Sequence, residues 1–270
     1  MASAKEIHVA PIASADANAL VRRVHYSGKV VPNSQLHFGV FLDGKLEGAM
    51  QFGPSMDKRK IQGLVRGTPW NGFLELNRMA FSDRLPRNSE SRGLAVAFRL
   101  IRKHYPHLQW IVSFADGTQC GDGTIYRASG FQLCGITKNG CLWRMKDGTF
   151  KSTMTLWHEK GLRVSEKRRN SLPVFSDVDG LVEGFQLRYI YFLDATAKAR
   201  LTVPILPFSR IDDVGARMYL GEKRAGSSAV AAPADQAGEG GSIPTPALQP
   251  SIHLQNETLI VDNLPQNPLD

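Results

Sequence analysis

A few residues in this 270-residue chain combine reactive chemistry with a telling position. Asp116 directly follows the apolar run WIVSFA (Trp110 to Ala115), at the carboxyl end of a strand, where open α/β sheets place their ligands. A carboxylate there can serve as a base or hold a metal; ahead of Gly117 it can equally close a turn. Tyr126 lies in a short helix just beyond and is either a proton donor or a packed aromatic. Arg78 sits in the strand FLELNRMAF, where alternation puts it in one row with Leu74, Leu76 and Ala80. Burying a guanidinium unpaired costs several kcal/mol, so an anionic partner is expected, either an internal acid such as Glu75 or Asp83 or a ligand. His25 ends a helix in VRRVHYSGKV, as a capping group or as a catalytic imidazole.

Two further segments suit phosphates. Arg87 to Gly93 reads RNSESRG at the start of a helix, where unpaired N–H groups and the positive dipole end favour anions. Asn88, Ser89, Ser91 and Arg92 would hold phosphates there, unless Asn88 or Ser89 simply caps the helix. Lys58, Arg59, Lys60 and Arg66, with Trp70 and Phe73 close behind, form a basic loop with aromatics: cations for DNA phosphates, a ring for a displaced base. The alternative is a solvated charged loop with Trp70 packed beneath it. Lys167-Arg168-Arg169 is a second basic cluster.

These residues need elements to hold them. Leu36 to Leu42 and Leu46 to Phe52 form a hairpin through Asp43-Gly44, a dipeptide suited to positive φ. Phe73 to Phe81 is a strand, and Leu94, Ala97, Phe98 and Ile101 repeat as the stripe of a helix packed on a sheet. Trp110 to Ala115 is a buried strand with a partner on each side, one of them plausibly parallel. Asp122 caps a helix of about two turns through Ser129, Gly130 ends it, and Phe131 to Ile136, Phe185 to Phe192 and Leu201 to Leu206 are further strands. The order describes a mixed α/β sheet in a single domain, residues 1–224. Residues 225–270, an Ala/Gly/Pro-rich acidic stretch, form a flexible tail.

The net charge is +8, but residues 226–270 hold five acids and no Lys or Arg, so the first 225 residues carry +13, 33 basic groups against 20 acidic. A field of that sign favours a polyanion, with DNA the simplest candidate. Neither a signal peptide nor a membrane-spanning apolar run is present, so an intracellular, soluble protein is expected. Cys120, Cys134 and Cys141 show no CxxC spacing and are expected to be reduced thiols; Cys134 and Cys141 flank a GITKNG turn across which they could face each other, with plain packing preferred.

The strings ELNRMAFSDRLPRNSESRGLAVAFRLIRKHYP and WIVSFADGTQCGDGTIYRASGF, with QFGPSMDKRK, GFQLRYIYFLD and LTVPILPFSRI, resemble the Mom family of phage DNA-modification proteins. That family is related to the GNAT acetyltransferases, so the resemblance implies a GNAT-like mixed sheet, splayed at its centre between Leu74–Phe81 and Trp110–Ala115 and flanked by helices. The usual GNAT pyrophosphate loop, Q/R-x-x-G-x-G/A, is replaced by RNSESRG. The implied activity uses acetyl-CoA to convert the N6 amine of adenine in DNA to a carbamoylmethyl (acetamido) group, shielding phage DNA from restriction in the cytoplasm of the infected host. The resemblance then implies that His25, Asp116 and Tyr126 form a catalytic cluster suited to iron, with Tyr126 the acid that protonates the departing thiolate and Arg78 a cofactor contact. The substrate would be double-stranded DNA with its adenine flipped out, since an amine inside a duplex cannot reach a buried thioester. The alternatives are a plain N-acetyltransferase of a small or protein amine, and a non-catalytic DNA-binding protein.

Overall fold

The computed structural model describes residues 3–118, 121–159, 177–219 and 222–223. The chain divides into two units, Met1–Ala225 and Gly226–Asp270. The tail and the Lys167-Arg168-Arg169 cluster lie outside the described residues.

The first unit is a mixed sheet with helices on both faces. Its strands are β1 (His8–Pro11), β2 (Leu36–Leu42), β3 (Lys45–Gly53), β4 (Phe73–Phe81), β5 (Trp110–Asp116), β6 (Gln132–Met145), β7 (Phe150–Ser152) and β8 (Val178–Phe192), in the order β1-β2-β3-β4-β5-β8-β6-β7. Every neighbouring pair is antiparallel except β4 and β5. The β2–β3 hairpin turns at Asp43 (φ 50°) and Gly44 (φ 71°), the left-handed pair its dipeptide favours.

Helix α3 (Ser89–His104) lays Leu94, Ala97, Phe98 and Ile101 on one face of the sheet, against Phe52, Ile111, Leu133 and Leu187. The opposite face is covered at two places. Helix α1 (Ser14–Val24) buries Ala17 and Leu20 against Ala49 of β3, and α2 (Lys58–Gln62) with the chain to Val65 packs Ile61, Leu64 and Val65 on Phe73, Trp110 and Val112. Trp110, fully buried, stacks on Phe73 at 4.3 Å and donates its indole N–H to Thr68 Oγ1 (3.0 Å).

Two expectations need correction, and the preferred packing of Cys134 is seen. Leu201 to Leu206 is not a strand: Leu201 makes one bridge to Val65, and Pro204 and Pro207 deny the rest a ladder. The helix after β5, α4 (Thr124–Ala128), spans only five residues. Cys134 and Cys141 belong to one continuous strand, β6, so they do not face each other across a hairpin; Cys134 is a buried free thiol. Among the described residues no helix is long and apolar enough to cross a membrane.

Candidate active site

The sheet opens where the only parallel pair among the described residues parts. β4 and β5 are paired only from Phe73 to Glu75 and from Trp110 to Val112. The register of β4 against β3 slips beside Asn77, with Gln51 opposite Arg78 but Phe52 opposite Leu76. An extra residue on one strand bends it, and here the bend carries β4 away from β5. Some of the backbone groups orphaned by this parting find side-chain donors: Leu76 O accepts from Ser113 Oγ (3.3 Å) and Asn77 O from Arg78 Nη1 (2.7 Å).

A cavity of about 490 Å³ fills the gap, and His25, Arg78, Asp116 and Tyr126 all line it. The sequence expectations for these residues thus converge on one place. The expected carboxylate partner of Arg78 is not there. Its Nε donates to Lys29 O (2.9 Å), its Nη1 to Asn77 O, and among the described residues neither Glu75 nor Asp83 forms an ion pair with it. Because Arg78 remains partly exposed, carbonyl oxygens and solvent suffice to hold the charge. Burial raises the Glu75 carboxyl above the usual carboxylate range, outweighing hydrogen bonds from Ser55 and Asn77 and the nearby Arg78 charge.

His25 is the C-cap of α1. The Ser27 backbone N–H donates to its Nδ1 (3.2 Å), and Ser27 Oγ lies 2.8 Å from the same nitrogen. An accepting Nδ1 places the proton of the neutral ring on Nε2. Burial, with the Arg78 guanidinium adding to it, lowers the imidazole to about pKa 4, so the ring is neutral at pH 7. This tautomer does not fit iron: Nδ1 is occupied and Nε2 carries a hydrogen where a ligand needs a lone pair. Among the described residues no three His, Cys, Asp or Glu groups converge as a metal set. Since the unfolded imidazole titrates near its ordinary value, the unfolded chain binds more protons between that value and about 4. Stability is therefore expected to be level above about pH 6.5 and to fall as the pH drops from there, with His25→Asn, which keeps an acceptor for Ser27, flattening the thermal-melting profile across that window.

The far wall of the cavity comes from the loop into α4. Asp116 Oδ1 accepts from the Thr118 N–H (3.0 Å), a turn role that leaves it lining the cavity. Tyr126 packs its ring near Tyr189 (5.2 Å) and Phe131 (5.3 Å). Gly123 rather than Asp122 is the N-cap of α4; Asp122, one residue earlier, accepts from Thr124 N (3.1 Å) and pairs with Arg127 (3.3 Å) and Arg217 (3.5 Å), while its carbonyl takes the Tyr189 hydroxyl. Arg217 and Tyr26 also line the cavity, and sequence reasoning missed both. Arg217 follows a stretch with no periodic pattern, while Tyr26, 60% exposed and 4.4 Å from the His25 ring, had only its adjacency to His25 as a signal.

The start of α3 forms a second, smaller cavity of about 220 Å³, lined by Arg87, Asn88, Glu90 and Ser91 and sharing Thr124 and Ile125 with the first. Ser89 is fully buried and donates its hydroxyl to Pro86 O (2.6 Å), so its side chain does not face the cavity. Arg92 points to solvent and does not line it; Arg87 does. Asn88 takes a left-handed conformation (φ 72°) and makes no side-chain cap. Ser91 Oγ donates to Asn88 O (3.1 Å).

The basic loop lies elsewhere. Lys58 to Lys60 are in α2, with Lys58 Nζ 4.6 Å over the Trp70 ring and 3.0 Å from Asn71 Oδ1; partial burial lowers the Lys58 pKa. Arg66 is exposed, and Trp70, 52% exposed, is not packed beneath the loop. Trp70 precedes β4, whereas Arg78 lies five residues into it. Trp70 does not line the cavity, so the structure does not bring it together with His25, Asp116 and Tyr126.

A mixed sheet whose parallel central strands part over a ligand-sized cavity, with a helix N-terminus beside it, defines a GNAT-like fold. The Mom protein family matches residues 6–210, and the methylcarbamoylase Mom of Escherichia phage Mu is 34% identical over 206 residues, 74% of this chain and 81% of that protein. The chain belongs to the Mom protein family. Among solved structures, the ribosomal-protein-S18-alanine N-acetyltransferase from Escherichia coli is 12% identical at a TM-score of 0.37, covering 70% of this chain and 94% of that one. A GNAT family acetyltransferase from Elizabethkingia anophelis with acetyl-CoA bound is 11% identical at 0.36, covering 69% and 98%.

Proposed function

We propose that this chain is a transferase that modifies the N6 amine of adenine in double-stranded DNA with the two-carbon unit of acetyl-CoA, leaving a carbamoylmethyl group. The observation that carries this reading is the cavity between the parted strands, which has walls from both sides of the sheet: Tyr126 and Ile125 of α4, beside α3, and His25 and Tyr26 at the end of α1, on the opposite face. Two reactants can therefore meet there from opposite faces. The membership in the Mom family and the name of its phage Mu relative support the same reading.

Acetyl-CoA suits the α3 side. Among the described residues no carbonyl takes the N–H groups of Glu90 and Ser91 in the first turn of α3, and donors of this kind, with the helix dipole, bind phosphate. The Ser91 hydroxyl and Arg87 add to them, while the Glu90 carboxylate would have to turn away. The smaller cavity then takes the pyrophosphate and the larger the thioester, with backbone groups of the parted strands available to the connecting arm.

The adenine suits the α1 side. It must leave the duplex to reach the cavity, and Tyr26 is the exposed ring at hand to stack on it. Neutral His25, donating from Nε2, orients the base or the carbonyl but cannot take a proton from the amine. Of the two carboxylates that line the cavity, Asp122 is paired with Arg127 and Arg217, which leaves Asp116 as the base, and Tyr126 is the acid for the departing thiolate. Attack on the thioester carbonyl breaks the C–S bond and forms C–N. Attack on the carbonyl alone gives an N6-acetyl group; linkage through the methyl carbon, as in the carbamoylmethyl product, requires in addition a two-electron oxidant and an ammonia-level nitrogen donor as co-reactants, and no step here is routed through a metal.

Such an enzyme would act in the cytoplasm of the infected host and guard phage DNA from restriction. Nucleoside mass spectrometry of DNA from cells expressing the chain tests the proposal. A modified deoxyadenosine absent from control cells is the expected result. Unmodified DNA alongside acetylated small molecules or protein would favour a plain N-acetyltransferase.

A further inference from the structure

We propose that the sheet face opposite α3 is the surface on which duplex DNA lies, and that Arg188 in β8 is a phosphate-binding residue of that surface. The inference rests on the DNA reading above and extends it to a place no sequence motif marked.

Cross-strand partners share a face, so Arg188, opposite Phe114, projects to the side of Phe114 and Trp110. Trp110 packs under α2 on that side, while Ile111 and Ala115 face α3. Arg78, opposite Gln51, is on the same side, because Gln51 reaches Asn18 of α1 (2.9 Å). Among the described residues no element covers this face between α1 and α2: Gln186 is exposed and Arg188 partly exposed, while Leu187 and Tyr189, on the other face, are buried. Phe114, partly exposed, lines the cavity with Arg78 and is the cross-strand partner of Arg188, which lies beyond it.

Two acids share this face, Asp116 opposite Gln186 and Glu75 near Arg78, and neither forms an ion pair with Arg188 or Arg78 among the described residues. Arg188 donates from Nη2 to Cys134 O (3.0 Å), and its Nε is buried with no partner. It lies against Gly135, where a Cβ would come within 2.8 Å of the guanidinium, so glycine makes its seat. Among the described residues neither Arg188 nor Arg78 pairs with a carboxylate, in contrast to Arg127 and Arg217, which share Asp122. On β8 the neighbours on this face are Gly184, Gln186 and Ile190, none of them acidic. Lys58, Arg59, Lys60 and Arg66 continue the patch at the α2 end. From there to Arg78 is about 16 Å along β4, roughly half a turn of duplex at ~34 Å per turn. A cavity opening amid cations is the arrangement that a base drawn out of a backbone-held duplex requires.

The test is the salt dependence of binding to a fluorescein-labelled duplex of about two helical turns, measured by anisotropy with full-length wild type, Arg188→Gln and Gln186→Glu. Arg188→Gln is expected to reduce the slope of log K against log salt by about one and to weaken binding several-fold at low salt. Gln186→Glu, at an exposed position that tolerates the change, is expected to weaken binding without altering the melting temperature. Wild-type slope in Arg188→Gln with wild-type affinity in Gln186→Glu would overturn the surface while leaving the DNA reading intact. No duplex binding by the wild type at low salt would overturn both.

Discussion

Tyr126→Phe should lower the rate of adenine modification by about 10²–10⁴, the usual contribution of a positioned general acid, with acetyl-CoA affinity within about twofold of wild type. The hydroxyl alone is removed, since the ring keeps its packing against Tyr189 and Phe131. Single-turnover modification of an oligonucleotide duplex, with calorimetry for the coenzyme, separates the two quantities. A rate within twofold of wild type would reduce Tyr126 to a packed aromatic. The step that loses its acid is departure of the thiolate, so a more acidic thiol leaving group in an acetyl thioester analogue should recover part of the deficit.

Gly123→Ala should destabilise the fold by about 2–5 kcal/mol, combining the strain of a left-handed non-glycine residue with overpacking. Gly123 has φ 72°, and a Cβ there would fall 2.6 Å from the Tyr189 ring. That ring cannot step aside, because it is buried and its hydroxyl is bound to Asp122 O. The same contacts, and burial above all, raise the Tyr189 pKa and keep the hydroxyl a donor. Gly148→Ala is the control: φ is 80° there too, but nothing lies within 4 Å of the added carbon. Urea unfolding should show a loss of only about 1–2 kcal/mol for it. Equal losses in the two variants would mean the Gly123–Tyr189 contact is not tight.

Local signals in the chain foretold the framework well. Asp43-Gly44 carries its own turn geometry, and the stripe Leu94, Ala97, Phe98, Ile101 can belong only to a helix on a sheet. WIVSFA, apolar throughout, announced a strand with neighbours on both sides, and β4 and β8 are its partners. What stayed hidden depends on contacts between distant segments. The bulge at Asn77, which opens the sheet, arises from pairing with β3, and nothing in FLELNRMAF displays it. For the same reason alternation could not tell which partner Arg78 takes: within the chain it donates to the carbonyls of Lys29 and Asn77, with no acid paired to it among the described residues.

The site was legible in its members more than in their roles. His25, Asp116 and Tyr126 come from three separate elements yet line one cavity. The tautomer of His25, however, is set by the Ser27 N–H, a detail of the chain's turn after α1 that residue type cannot reveal. Ser89 reads as a phosphate donor by spacing, but its hydroxyl closes the turn on Pro86 O. Trp70 reads as the ring for a displaced base and the Lys58 cluster as phosphate contacts, but both precede β4 in the chain and neither lines the cavity. Arg188 gave no signal, since a single arginine in an alternating strand is indistinguishable from any solvated position until its face is known to be bare.

The most direct measurement incubates the purified chain with a DNA duplex and acetyl-CoA labelled on its methyl carbon, digests the DNA to nucleosides and follows the label by mass spectrometry. Label on deoxyadenosine for the wild type, and little or none for Tyr126→Phe, is the predicted result. Label confined to free acetate or protein, with every adenine unmodified while the coenzyme binds normally, would contradict a thioester and a flipped base meeting between β4 and β5.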